Sequence, residues 1–169
     1  RMFINCFSLQ SVPLFDLSSV TSASSMFNLC FSLQSVPLFD LSSVTSAASM
    51  FNSCVSIQSV PLFDLSSVTN ASSMFRDCRS LQSVPLFDLS STTNTSSMFT
   101  LCASLKKASV ANISVDYSVD GCLLGTAELD DLMTNLPTVG GQTLTLTNNP
   151  GTATCDPSIA TAKGWTVLT

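Results

Sequence analysis

The dipeptide Met-Phe recurs at a fixed interval of 24 residues through the first two thirds of this chain. It begins at residues 2, 26, 50, 74 and 98. The unit has the form MFxxCxSLQSVPLFDLSSVTSASS; four copies are nearly identical, and the fifth diverges after Leu105. A unit this short cannot bury its apolar face alone, so neighbouring copies must stack. The period therefore predicts a solenoid in which equivalent residues form columns along the array.

Each unit contains one segment with the spacing of a short strand. Leu9, Val12 and Leu14 follow the pattern LxxLxL of a leucine-rich repeat, and stacked units would place such strands side by side in a parallel sheet. The stretch from Thr21 to Phe27 is expected to close the far side as a short helical or irregular segment, with Met26, Phe27 and Cys30 in the core. The fold class predicted is an α/β leucine-rich-repeat solenoid of 24-residue repeats with a parallel sheet and a C-terminal cap.

Two strings within the repeats carry a family resemblance. FDLSSVTSASSMF and MFNSCVSIQSVPLFDLS resemble the BspA-like leucine-rich repeats, in which Met-Phe, Cys, Ser-Leu, Phe-Asp and Val-Thr fall in this order. The resemblance covers residues 1 to about 112. It implies a surface or secreted protein that takes part in adhesion, and similar repeats occur in phage tail proteins.

The period is lost near Cys122, so we expect repeats over residues 1–121, the last unit degenerate, and a capping segment over residues 122–169. Thr126 is expected to N-cap a helix that stops at Pro137. An alternating stretch over residues 142–147 predicts a strand. A second short helix, ending at Gly164, and a final strand over residues 165–167 follow. The apolar face of the first helix is formed by Leu129, Leu132, Met133 and Leu136. This segment also resembles tails that follow such repeats in phage and bacterial surface proteins.

The chain opens in the middle of a repeat, at Arg1-Met2-Phe3. We therefore expect it to be a piece of a longer protein, with any N-terminal cap or targeting segment lying in the preceding part.

Composition argues against several functional classes. A net charge of −5 with only six Lys and Arg residues disfavours nucleic acid, because phosphate binding needs clustered cations. The sequence contains no run of about 18 apolar residues, which is the length that a membrane-spanning helix needs. The chain has no His to serve as a base for a nucleophilic Ser, no GxSxG motif and no glycine-rich phosphate loop. We therefore predict that the chain is not an enzyme and that it binds no cofactor.

Five cysteines share the period of 24, and their interpretation as a buried column is favoured. They are Cys6, Cys30, Cys54, Cys78 and Cys102. Five thiols in one column cannot all pair, and without His or CxxC a metal site is disfavoured. Cys122 and Cys155 lie outside this series, and a disulfide tying the cap together is one alternative for them.

An Asp series has two interpretations. Asp16, Asp40, Asp64 and Asp88 recur with the period, and Asn112 takes the place in the fifth unit. Stacked carboxylates could bind Ca²⁺. Alternatively, each could accept backbone N–H groups in an Asx-turn, which the Asn replacement favours because it keeps the hydrogen-bonding shape without the charge.

Most variation between units falls around the Cys, and we call this variable strip the ribbon. Positions that vary while the rest is copied are expected to face solvent, because core columns tolerate little change in volume. The ribbon runs from apolar to charged and is the candidate partner contact, with drift on an exposed face as the alternative. Its residues are Phe7, Asn28, Leu29, Phe31, Asn52, Val55, Arg76, Asp77 and Arg79.

A second candidate face lies along the expected strand. With Val12 and Leu14 inward, Pro13 and its repeats would point outward, and Phe15 either joins them in an apolar patch or belongs to the core. The core placement is favoured because the resemblance makes Phe15 the Phe of the Phe-Asp pair.

The function predicted is a non-catalytic binding or adhesion module of an extracellular, cell-surface or phage-tail protein. Its partner would be a protein or glycan receptor on a cell surface, or another copy of itself. The structural alternative is a repeat spacer or a self-assembling filament subunit. A hydroxyl array that orders water, built on repeats of Ser18, Ser19 and Thr21, is a third and less favoured alternative.

Overall fold

The computed structural model describes residues 2–169, and in it successive units stack through identical main-chain hydrogen bonds. The N–H group of Phe27 donates to the carbonyl of Met50 at 2.9 Å, and Phe51 and Phe75 repeat this bond to Met74 and Met98. The Phe27 and Phe51 rings lie parallel at 5.4 Å, and the next pair is 5.5 Å apart. Each unit therefore adds one layer in register with the last.

The segment that closes the far side of each unit is a run of tight turns. Met26 N–H donates to Ala23, and Cys30 N–H donates to Phe27, in bonds that span three residues. These turns do not join into a helix because Ser25 and Leu29 have positive φ angles of 57° and 63°, which a right-handed helix does not contain. Met26, Phe27 and Cys30 are buried as predicted.

The parallel pairing between units is short, and only part of it lies where the strands were predicted. Strands β1 (Phe87–Asp88) and β2 (Val110–Ala111) pair in parallel, and isolated parallel bridges link Ser22, Ser46, Asn70 and Asn94. Residues 9–14 form no regular strand. The equivalent segment of the fourth unit pairs in parallel with the fifth through one bridge, between Ser83 and Lys107.

A proline in this segment of each unit has no N–H to donate to a neighbouring strand. In the third unit, Phe63 N–H also donates to the carbonyl of Pro61 at 2.9 Å, a turn centred on Leu62 that interrupts strand alternation. Val60 and Phe63 therefore both point inward while Leu62 points out. The prediction that Leu14 faces the core is wrong, whereas the placement of the Phe15 series in the core is confirmed at Phe39, Phe63 and Phe87.

The C-terminal segment contains the elements that its sequence predicts. The elements are β3 (Tyr117–Ser118), α1 (Thr126–Asn135), β4 (Thr143–Thr145), α2 (Ser158–Thr161) and β5 (Thr166–Leu168). The three strands form a parallel sheet in the order β3-β4-β5, with Leu144 paired to Tyr117 on one side and to Val167 on the other. The sheet thus includes residues before position 122.

One expectation about α1 is wrong. Gly125, not Thr126, is the N-cap residue, and no side chain caps this end. Thr126 is already helical, and its hydroxyl is hydrogen-bonded to that of Thr154. Because this hydroxyl is engaged with a neighbouring loop, it does not cap the helix.

The cap continues the apolar column and is tied down by polar contacts. The Tyr117 ring meets Phe99 edge to face at 6.2 Å, and its hydroxyl donates to the carbonyl of Ala108. Trp165 Nε1 donates to the carbonyl of Pro137 at 2.9 Å. Gly164, with φ at +88°, ends the turn after α2 where a Cβ atom would overlap the Val139 carbonyl.

Candidate partner-contact surface

The ribbon is shaped by a left-handed residue directly before each Cys. Asn5, Leu29, Ser53, Asp77 and Leu101 all have φ angles of 59–65°. Asn and Asp tolerate this conformation, whereas Leu is strained in it. The following thiol is anchored inside: Cys54 Sγ donates to the carbonyl of Phe27 at 3.2 Å. The reversal before each Cys therefore carries the ribbon around the outside of the stack.

The apolar end of the ribbon is an exposed aromatic pair. The rings of Phe7 and Phe31 lie 5.2 Å apart with an 18° interplanar angle, and their exposed fractions are 52% and 40%. The Phe7 carbonyl accepts the Ser32 N–H at 3.2 Å, which fixes the main chain beneath the pair. These two rings remain open to solvent while the Phe27 and Phe39 rings are buried.

The charged end of the ribbon lies two units further along. Arg79 Nε donates to Asp77 Oδ1 at 2.7 Å, and this carboxylate raises the pKa of the Arg79 guanidinium through a hydrogen bond and its charge. Arg76 is exposed beside them. An exposed ion pair adds little to stability. The Nη1 atom of Arg79 donates to no acceptor within residues 2–169 and is available to a partner.

The other ribbon residues are less accessible than predicted. Asn28, Leu29, Asn52, Val55 and Asp77 are half-buried. The Oδ1 atom of Asn28 is buried and has no hydrogen-bond partner among residues 2–169. The reversal before each Cys turns these side chains partly toward the neighbouring unit. The structure thus leaves Phe7, Phe31, Arg76 and Arg79 as the outward groups of the ribbon.

A row of exposed leucines is the surface feature that the sequence analysis missed. One leucine of each unit stands outside, next to the proline. A signal was present, because Val-Pro-Leu-Phe places two apolar residues beyond a proline and only one of them fits inward. We call Leu14, Leu38, Leu62 and Leu86 the leucine row; their exposed fractions are 66%, 59%, 60% and 56%.

The cysteine column is part of the core. Cys78 Sγ donates to the Phe51 carbonyl at 3.1 Å, and burial raises the pKa of Cys30 to about 11 and that of Cys122 to about 12. Cys122 takes the next position in the column, since its Sγ reaches the Phe99 carbonyl at 3.4 Å. A thiol held protonated in this way is a poor nucleophile.

The disulfide between Cys122 and Cys155, one of the alternatives that the sequence allows, is not formed in this structure. Both thiols are free, and Cys155 Sγ contacts the carbonyl of Thr152 in its own turn. The placement of Cys122 outside the column was wrong, because the repeat spacing shortens from 24 to 20 residues after Cys102.

The Asp series forms Asx-turns, as the favoured interpretation predicted. Asp16 Oδ1 accepts the Ser18 N–H at 2.9 Å, and the three later members repeat this bond. The Ser18 and Ser42 hydrogen bonds lower the pKa of Asp16 and Asp40. Asn112 Nδ2 donates to Asp88 at 3.1 Å, so the amide stabilises the last carboxylate.

Residues 2–169 contain no group of three His, Cys, Asp or Glu side chains placed to hold a metal ion. No helix in the same range is long and apolar enough to cross a membrane.

The comparisons with known proteins identify one family. Its sequence profile, described as "Mycoplasma protein of unknown function, DUF285", matches residues 1–112. No curated protein and no solved structure matches the chain. The matched range contains all four complete repeats and the start of the fifth. Since it covers more than half of the chain, this protein belongs to the DUF285 family.

Proposed function

We propose that this chain is a non-catalytic binding module, built on a BspA-like leucine-rich-repeat solenoid, of a protein at a cell or virion surface. It recognises a receptor on another surface through the ribbon, while residues 122–169 cap the stack. The main-chain bonds between units support the solenoid, and the Met-Phe, Cys and Phe-Asp pattern supports the BspA-like assignment.

The observation that carries this proposal is the exposed Phe7–Phe31 pair. The stacked rings from Phe27 to Phe99 on the inner side are almost completely buried, whereas the Phe7–Phe31 pair is left in water. Aromatic side chains and Arg dominate the binding energy of protein interfaces. Arg79, at the charged end, supplies the second of these two residue types.

The direct experiment measures binding of the labelled protein to a panel of intact cells. Wild-type protein is expected to bind some cells saturably. The double variant Phe31→Ser/Arg79→Ser is expected to lose at least about tenfold in affinity, since one such anchor contributes 1.4 kcal/mol or more. Unchanged binding by this variant contradicts the proposal for the ribbon.

A matched control variant separates recognition from folding. Leu123 is 41% exposed and Phe31 is 40% exposed, and Lys106 is exposed like Arg79. Leu123→Ser/Lys106→Ser is expected to bind like the wild type, with the same melting temperature as the ribbon variant. Protease and periodate treatment of the cells then distinguishes a protein receptor from a glycan.

The leucine row favours a second candidate function, self-association into a structural filament or spacer. An apolar row that repeats in every unit presents the same surface along the whole array, and large exposed apolar patches mark interfaces. On this account, light scattering shows oligomers that grow with concentration, and Leu38→Ser/Leu62→Ser reduces them to monomers. A monomer at all concentrations contradicts the filament.

A further inference from the structure

A polar cleft lies where the last repeat meets the cap, on a part of the molecule separate from the ribbon. Its volume is about 480 Å³, which is within the range of small-ligand sites. Eight Ser and Thr residues line it together with Asn94, Asp116 and Gln142. These three planar side chains come from the fourth repeat, the loop before β3 and the loop before β4.

Local hydrogen bonds fix the orientation of each planar group. Asp116 Oδ1 accepts the Thr143 N–H at 2.7 Å, and the Asp116 carbonyl accepts the Thr95 hydroxyl. Gln142 Oε1 accepts the Gly140 N–H, and Asn94 Oδ1 accepts the Ser96 N–H, both at 2.9 Å. The groups are therefore held in place before any ligand arrives, which lowers the entropic cost of binding.

The remaining hydrogen-bonding capacity has a definite pattern. Among residues 2–169, Asp116 Oδ2 has no hydrogen-bond donor, and the amide nitrogens of Asn94 and Gln142 donate to no acceptor. The cleft therefore offers one charged acceptor and two amide donors among hydroxyl groups. A polyol uses each hydroxyl both as donor and as acceptor, so it satisfies both kinds of group at once.

The charge of the cleft limits the ligand further. Asp116 is the one charged residue in the lining, and its carboxylate repels phosphate, sulfate and acidic sugars. Val115, half-buried in the same lining, offers an apolar contact to the C–H face of a sugar ring. We propose that this cleft binds a neutral saccharide, with Asp116 accepting hydrogen bonds from its hydroxyl groups.

The inference goes beyond the ribbon and shares with the proposed function only the claim that the chain is a binding module. It is tested by titrating the ¹⁵N-labelled full chain with methyl glycosides of neutral hexoses and following the amide resonances. Saturable shifts are expected at Asp116, Gln142 and Thr143, with a Kd of about 1 mM, typical of few polar contacts. Glucuronic acid is expected to bind more weakly than the neutral sugar.

Asp116→Asn is the decisive variant, because its amide oxygen still accepts the Thr143 N–H while the free acceptor becomes a donor. The Kd is expected to rise at least about tenfold, because hydrogen bonds to charged groups are stronger than hydrogen bonds to neutral groups. The control Asp131→Asn, on α1, is expected to leave the Kd unchanged. Unaltered affinity in Asp116→Asn, or no saccharide shift at the cleft, overturns the inference. Loss of cell binding in the ribbon variants is a separate result and leaves this outcome unaffected.

Discussion

The thiol of Cys78 donates a hydrogen bond of 3.1 Å to the carbonyl oxygen of Phe51 in the preceding unit. Cys30, Cys54 and Cys102 make the same bond to Phe3, Phe27 and Phe75. Each of these carbonyls also accepts a main-chain N–H, as Phe51 does from Cys54 at 3.0 Å, so the thiol is a second donor in the layer that stacks the phenylalanine rings.

Replacing Cys78 by Ala is therefore expected to lower the free energy of unfolding by about 1 kcal/mol, because the Phe51 carbonyl loses one of its two donors inside the core. Chemical denaturation measures the change. Cys6→Ala serves as the control: Cys6 is half-buried and, in the described chain, its thiol donates to no carbonyl. A loss at Cys78 no larger than at Cys6 would show that the thiol bond adds nothing.

The repeat columns could be predicted from the sequence because a strict period forces identical packing. Met26, Phe27 and Cys30 are buried in the structure for the reason that their spacing indicates. The cap elements also follow from local signals, such as the alternation around Leu144 and the glycine that ends α2. In both cases a local pattern and the tertiary environment favour the same conformation.

The leucine row and the polar cleft could not be predicted in the same way. Pro61 replaces strand alternation by a turn, so the side on which Leu62 lies depends on a main-chain bond rather than on a pattern. Asn94, Asp116 and Gln142 are far apart in sequence and meet only because the fifth unit stacks on the fourth repeat and the cap stacks on the fifth unit. The cleft has no period or motif of its own, and the period of the leucines does not tell on which side of the chain they lie.

The buried thiols predict loss of stability at alkaline pH. Burial raises the pKa of Cys30 to about 11 from an ordinary value of 9.0, and it also raises the pKa of Cys54 and Cys102. Above pH 9.0 the unfolded chain therefore releases protons that the folded chain retains, and stability falls by up to about 1.4 kcal/mol per pH unit for each thiol. Below pH 9.0 the thiols are protonated in both states, and stability no longer falls with pH on their account.

Urea denaturation between pH 8 and 11 measures this effect, and Cys54→Ala is expected to reduce the alkaline slope. An unchanged slope contradicts the assignment to thiols. Labelling supports the same point: all seven cysteines should react in denaturant, whereas Cys54, Cys78 and Cys102 should resist the reagent in the folded protein. Fewer than seven reactive cysteines in denaturant without a reductant would indicate a disulfide.

Leu101 is expected to destabilise its unit through its main chain. Its φ angle is 65° and its side chain is 47% exposed, so the left-handed conformation costs more than the side chain gains from burial. Leu101→Asn should raise the free energy of unfolding by about 0.5–1 kcal/mol. Leu123→Asn, at a similar exposure but without a positive φ, should give no gain.

Lys163 is expected to stabilise the end of α1. Its Nζ donates to the carbonyls of Met133 at 3.2 Å and Leu136 at 2.8 Å, and to that of Thr134. A cation at a helix C-terminus also interacts favourably with the helix dipole. Lys163→Met keeps the length of the side chain and should lower the free energy of unfolding by about 1–2 kcal/mol. Thermal denaturation would show this as a lower melting temperature. Lys107→Met, at an exposed position, should have little effect.

Amide hydrogen exchange tests the stacking of the units most directly. The N–H groups of Phe27, Phe51 and Phe75 donate to the next unit, whereas those of Ser43 and Ser67 donate to no acceptor within residues 2–169. The stacked fold predicts that the three Phe amides exchange at least about a thousandfold more slowly than the two Ser amides, and at similar rates to one another. Fast exchange at the Phe amides would contradict the stack, and with it the surface on which the ribbon, the leucine row and the cleft are placed.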